Sequence, residues 1–159
     1  TLHTNNAPET LTRLLEMGMN ALNISDAFLG VLGQRLVRRL CSNCIESYHP
    51  GEEEFEDLRT DYGREAFDQA GFTYGPGFNL KRSVGCEKCN GSGFKGRIGI
   101  HELMEATPAV KILIKKNATS YDLAQQAARD GMTTLKQDGI RKTINGITTI
   151  REVRRVCIE

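Results

Sequence analysis

Cys41-Ser42-Asn43-Cys44 and its counterpart Cys86-Glu87-Lys88-Cys89, with residues 45–85 between them, decide how this chain is read. Each C-x-x-C pair fits a tight turn that aims two sulfurs at one point. Two such turns build the tetrahedral thiolate cage that Zn²⁺ prefers. Free cysteine is among the most buried residue types, so four ordinary core cysteines are the competing reading. The identical spacing of four of the five cysteines argues for the metal. A redox pair would need one C-x-x-C beside a βαβ pattern, and an iron-sulfur centre would use the same thiolates. A closed four-sulfur site leaves no position open for water or substrate, so it predicts architecture rather than catalysis. His49, the one nearby competing ligand, is read as a loop residue.

Outward from these pairs the composition is that of an ordinary globular chain: 159 residues, 39% hydrophobic and 26% charged. The net charge of +1 argues against a dedicated nucleic-acid surface, which needs a clustered excess of Lys and Arg. Arg35, Arg38 and Arg39 form a local basic cluster, read as a solvated face. No apolar run approaches the roughly 20 residues needed to span a bilayer, and no secretory signature opens the chain. Metal-type cysteine spacing favours a reducing compartment, hence the cytoplasm. Cys157, between Val153, Val156 and Ile158, reads as a small core residue.

Thr1-Leu2-His3-Thr4-Asn5 looks like the end of a strand entering a loop, and the chain reads as an excised fragment. Asn5 or Asn6 caps a first helix with Pro8 in its first turn and Leu11, Leu14 and Leu15 as its apolar stripe. A second helix is expected to open near Ser25-Asp26 and carry Phe28, Leu29 and Leu32, with Gly30 and Gly33 marking close backbone approach. Arg35 to Leu40 leads directly into Cys41 and fits either a final helical turn or a short strand, of which the strand is preferred. Between the cysteine pairs the sequence predicts a small helical insert. Glu52, Glu53 and Glu54 sit at its start, Phe55, Leu58 and Tyr62 share one face, and Gly63 and Gly71 stop two short helices. Gly96 to Met104 reads as a strand, and helices follow Thr107-Pro108 to the end, the last opened by a Thr149–Glu152 capping box. This C-terminal third is expected to form one compact helical bundle.

Several segments together resemble the type II secretion and type IV pilus assembly ATPases. They are Leu2-His3-Thr4-Asn5 with Ala7-Pro8, Gln34-Arg35-Leu36-Val37-Arg38-Arg39-Leu40-Cys41, both cysteine pairs, Gly96-Arg97-Ile98-Gly99-Ile100-His101-Glu102, and Gly131-Met132 with Asp138-Gly139. The resemblance covers essentially the whole chain and corresponds to the C-terminal portion of that family. It implies a helix-rich α/β architecture: the end of a RecA-like P-loop ATPase domain with a tetracysteine zinc subdomain and a C-terminal helical bundle. The expected division is 1–40 for the ATPase remnant, 41–95 for the zinc subdomain and 96–159 for the strand and bundle.

The resemblance further implies a hexameric motor at the cytoplasmic side of the inner membrane, hydrolysing ATP with Mg²⁺. Its partners would be neighbouring subunits of a homohexamer and inner-membrane platform proteins of the secretion or pilus system. His3 would belong to a His box near the γ-phosphate in an intact parent, and Cys41, Cys44, Cys86 and Cys89 would hold structural zinc. The sequence contains no G-x-x-x-x-G-K-[ST] loop to hold phosphates and no acidic strand end for Mg²⁺, so the chain by itself is expected to be inactive. A second reading is an autonomous zinc module of the DnaJ type. It rests on Cys86 to Gly93 fitting C-x-x-C-x-G-x-G, a pattern that Cys41 and Cys44 do not continue.

Overall fold

The computed structural model describes residue 2 and residues 4–157. Its elements run α1 (Ala7–Glu16), α2 (Ala21–Ala27), β1 (Gly30–Leu40), β2 (Ile45–Tyr48), α3 (Glu52–Tyr62), α4 (Arg64–Gln69) and β3 (Leu80–Ser83). A 3-10 turn (Glu87–Cys89) leads into β4 (Phe94–Glu105), and α5 (Pro108–Lys115), α6 (Ser120–Arg129), α7 (Leu135–Ile144) and α8 (Ile150–Val156) follow. The chain is thus mixed α/β, with two small sheets: β1 pairs with β4, and β2 with β3. No described helix is long and apolar enough to cross a membrane. Packing divides the chain into two units, Thr1–Gln34 with His101–Leu135 and Arg35–Ile100 with Lys136–Ile158.

The first unit is built on aliphatic packing. Asn6 caps α1 by accepting the Glu9 N–H at 2.9 Å, and Pro8 sits where a helix has no use for an amide donor. Leu11 of α1, Ile24 of α2, Met104 of β4, Val110 and Ile114 of α5, and Leu123 of α6 close one buried cluster. The second helix departs from expectation. It is capped by Asn20, whose side chain accepts from the amides of Leu22 and Asn23, and it ends at Ala27, so Phe28, Leu29 and Leu32 are not helical. At Gly30 the chain is already a strand. A Cβ there would lie 2.9 Å from the Met104 carbonyl oxygen, so the glycine serves strand pairing and not a helix crossing. Gly33 has ordinary spacing, its Cβ position being 3.7 Å from the Glu102 carbonyl.

The second unit is aromatic. Phe55 meets Phe67 edge-on at 5.4 Å and Phe78 at 4.9 Å, and Tyr62 stands edge-on to Phe67 at 5.6 Å. Leu58, Leu80 and Ile140 complete this core. Gly63 and Gly71 end α3 and α4 as the sequence predicts. The segment between the cysteine pairs is not purely helical, however. Ile45–Tyr48 and Leu80–Ser83 form an antiparallel ribbon with Ile45 opposite Ser83 and Tyr48 opposite Leu80. Four-residue strands carry too little alternation to be read from sequence.

The C-terminal helices do not make one bundle. Val110, Ile114, Leu123 and Ala127 of α5 and α6 belong to the aliphatic core. Ile140, Ile144 and Ile150 of α7 and α8 belong to the aromatic one. The capping box at α8 is also incomplete. Thr149 accepts from the Glu152 amide, but the Glu152 carboxylate, 1% exposed, turns to Arg38.

Candidate metal centre

Strand β1 delivers Cys41 to the site, and the Cys41 amide donates to the Gly93 carbonyl at 2.9 Å. The chain then turns at once, with the Cys44 N–H donating to the Cys41 carbonyl at 3.2 Å, so that both sulfurs face the same side. The second pair repeats this device: the Cys89 N–H donates to the Cys86 carbonyl at 3.2 Å, and the Gly91 N–H to the same carbonyl at 2.9 Å. Gly85 makes room for it. Its φ is +91°, and a Cβ would lie 2.5 Å from the Gly91 carbonyl oxygen, so glycine alone fits. Ser92 fastens the turn by donating its hydroxyl to the Cys89 carbonyl at 2.6 Å.

The two turns bring Cys41, Cys44, Cys86 and Cys89 together with all four sulfurs within 4.8 Å of one another. Cys41 and Cys86 are 3.9 Å apart, Cys44 and Cys89 3.8 Å, and Cys86 and Cys89 3.7 Å. These separations fit a metal. Four sulfurs at about 2.3 Å from one tetrahedral ion stand about 3.8 Å from each other, the edge of that tetrahedron. A disulfide would bring two of them to about 2.05 Å, and all five cysteines are free thiols.

The surroundings pull the sulfurs in opposite directions. Burial pushes the Cys44 thiol up to about 12. At Cys89 burial works in the same sense, but the N–H groups of Cys86 and Gly93, 3.2 and 3.3 Å from its sulfur, outweigh it and bring the thiol down to about 6. Amide donors of this kind stabilise thiolate, and a bound cation would extend that stabilisation to the whole set.

His49 takes no part in this cluster: its Nδ1 lies 2.8 Å from the Phe78 carbonyl oxygen, and its ring packs on Tyr74. Cys157, half-buried at the end of α8, is not in the cluster either. His3 lies outside the described residues. In the basic cluster, Arg38 is more than a solvated charge. Its guanidinium lies 4.2 Å over the Phe94 ring and 2.6 Å from Glu152, whose other oxygen accepts from the Arg38 amide at 3.1 Å and from Arg155 at 3.0 Å. The Arg38 hydrogen bond, against the cost of burial, holds the Glu152 carboxyl down at about 2. The sequence places Glu152 at a helix start, and nothing local marks a partner 114 residues away.

The family described as "type II/IV secretion system protein" matches residues 1–155. The chain belongs to that family. Among its relatives, a type IV pilus assembly ATPase PilB of Thermus thermophilus is 42% identical over 159 residues, which is all of this chain and 17% of that protein. The PilB of Pseudomonas aeruginosa is 40% identical over 158 residues, 98% of this chain and 26% of its own length. A type II secretion system ATPase E of Vibrio cholerae is 39% identical over the whole chain and 29% of its own length. The chain therefore spans under a third of the relatives it matches. The match takes in both cysteine pairs together with the segments on either side of them, and so does not favour a DnaJ-type module.

Proposed function

We propose that this chain is the zinc-bearing C-terminal part of a hexameric ATPase that powers type II secretion or type IV pilus assembly. The observation that carries the reading is the match of residues 1–155 to the secretion family, with the named ATPases alike across the whole chain. Zn²⁺ is the ion the site would take, since four thiolates at a tetrahedron's edge spacing suit it better than hard cations that require oxygen. Its work is architectural, joining the end of β1 to the turn before β4 and so closing the excursion that holds α3 and α4. A multi-iron cluster would need its sulfurs further apart, to leave room for the inorganic core.

Nucleotide chemistry belongs to other parts of the motor. These 159 residues hold no G-x-x-x-x-G-K-[ST] loop, so ATP and Mg²⁺ would be bound elsewhere, and His3 would come near the γ-phosphate only in the assembled protein. The partners are neighbouring subunits of a homohexamer and inner-membrane platform proteins, at the cytoplasmic face of that membrane, and not nucleic acid. The test is a graft. The chain replaces the matching segment of a pilus assembly ATPase, and magnesium-dependent turnover is measured beside that of the chain alone. Turnover by the graft and none by the isolated chain is expected. A folded, zinc-loaded graft without turnover, or a turnover by the isolated chain, contradicts the reading.

A further inference from the structure

Glu102 is a buried carboxylate, 3% exposed, on the core side of β4. Its two oxygens end on two different backbone amides. Oε1 accepts the N–H of Ala7 at 2.7 Å, and Oε2 accepts the N–H of Leu135 at 3.2 Å. Ala7 is the first residue of α1 and Leu135 the first of α7. Amides at a helix start have no carbonyl within their own helix, and the helix dipole favours negative charge there. One carboxylate thus serves two helix starts separated by 128 positions in the chain.

We propose that Glu102 is a positioning residue, a two-headed latch that sets where the chain enters α1 and where it enters α7. The α1 end is held from both sides. Glu9, one turn along the helix, accepts the Asn5 amide at 3.0 Å and the Asn6 side-chain amide at 3.2 Å, while Glu102 takes Ala7. A shift that carries the Ala7 amide away from β4 breaks the bond to Glu102. Any such shift also bears on Leu135, because both bonds hang on the position of one side chain. The latch stands on this geometry alone. Only its consequence for a motor, in which that segment would lie near nucleotide, rests on the function proposed above.

Amide hydrogen exchange on the 159-residue chain, without nucleotide, tests the latch apart from the motor reading. Glu102→Gln keeps the shape but has one accepting oxygen and an NH₂ facing the other amide. Exchange at either Ala7 or Leu135 should therefore rise about tenfold to a hundredfold, the size expected for a lost charge-assisted bond, with the other amide protected. Glu102→Ala should release both amides, measured relative to Leu123 in α6 and Asp130 at its C-terminal cap, whose bonds to Thr119 and Gln126 Glu102 does not touch. Glu102→Asp, shorter by one methylene, should hold at most one. If Glu102→Gln leaves Ala7 and Leu135 both protected as in the unaltered chain, Glu102 fills space only and the latch is wrong. The latch is equally wrong if Glu102→Ala speeds Ala7 and Leu135 no more than the α6 amides.

Discussion

The two packing units solve the same problem with different means. The aliphatic unit closes on Leu11, Ile24, Met104, Val110, Ile114 and Leu123, contributed by four helices and a strand. Its helices carry good caps, at Asn6, Asn20, Thr107 and Thr119. The aromatic unit packs Phe55, Tyr62 and Phe67 of α3 and α4 with Phe72 and Phe78 of the segment that follows, and both helices begin at glycines that make no side-chain cap. Its sequence excursion must also return to the strand it left. Four thiolates meet where the excursion begins and ends. The difference bears on where a metal would matter: the helices of the aliphatic unit are capped by their own neighbouring side chains, whereas α3 and α4 lack such caps and lie on an excursion whose two ends a bound ion would clip together.

If that contrast holds, chelation or Cys86→Ser has the largest effect and confines it to the aromatic unit. Structural zinc contributes about 10–16 kcal/mol of apparent binding energy in small zinc domains, so loss of the clip should abolish cooperative unfolding of residues 45–85. Amide exchange reads this directly: α3, α4 and the β2–β3 ribbon should open while α1, α5 and α6 stay protected. Equal opening of both units would break the comparison.

Phe67→Ala comes next. Phe67 is fully buried and touches three aromatic rings, so its truncation should cost about 3–5 kcal/mol in denaturant unfolding of the aromatic unit. Glu152→Gln should cost about 1–3 kcal/mol, because the buried side chain loses one accepting oxygen from its bonds to the Arg38 amide and guanidinium, while half-exposed Arg38 can turn to water. Its pH signature has a definite sign. The folded carboxyl is held at about 2, below its ordinary value of 4.5, so the stabilisation is complete above 4.5 and is lost as pH falls toward 2. Acid also strips metal from thiolates, so the measurement is the difference in stability between the unaltered and Glu152→Gln chains across pH 6 to about 2, a gap that should shrink with acid. A constant gap would place Glu152's value in packing. The smallest effect sharpens the other half of the contrast. Asn6→Ala should cost the aliphatic unit about 1 kcal/mol, the worth of one helix cap, with no effect on metal content.

The cysteine turns are legible in the sequence because four residues at fixed spacing signal themselves. So are the helix ends at Asn6, Thr107 and Thr149, whose partners lie within a turn. What is not legible depends on distance. The division of the C-terminal helices between two cores follows from partners such as Leu11 for Leu123 and Phe55 for Ile140, which no local period encodes. Glu102 and Glu152 read as ordinary strand and helix residues, yet their oxygens are claimed by amides 95 and 114 positions away. The helix expected over Phe28 to Leu32 fails for a related reason. Gly30 does mark close backbone approach, but what approaches is the paired strand.

Cysteine alkylation counted by mass, before and after chelation, tests the metal centre most directly. The purified chain is expected to bind about one zinc, and chelation is expected to expose four further thiols, located at Cys41, Cys44, Cys86 and Cys89. An unchanged count in a chain carrying no metal, or a mass showing those cysteines joined as disulfides, would contradict it.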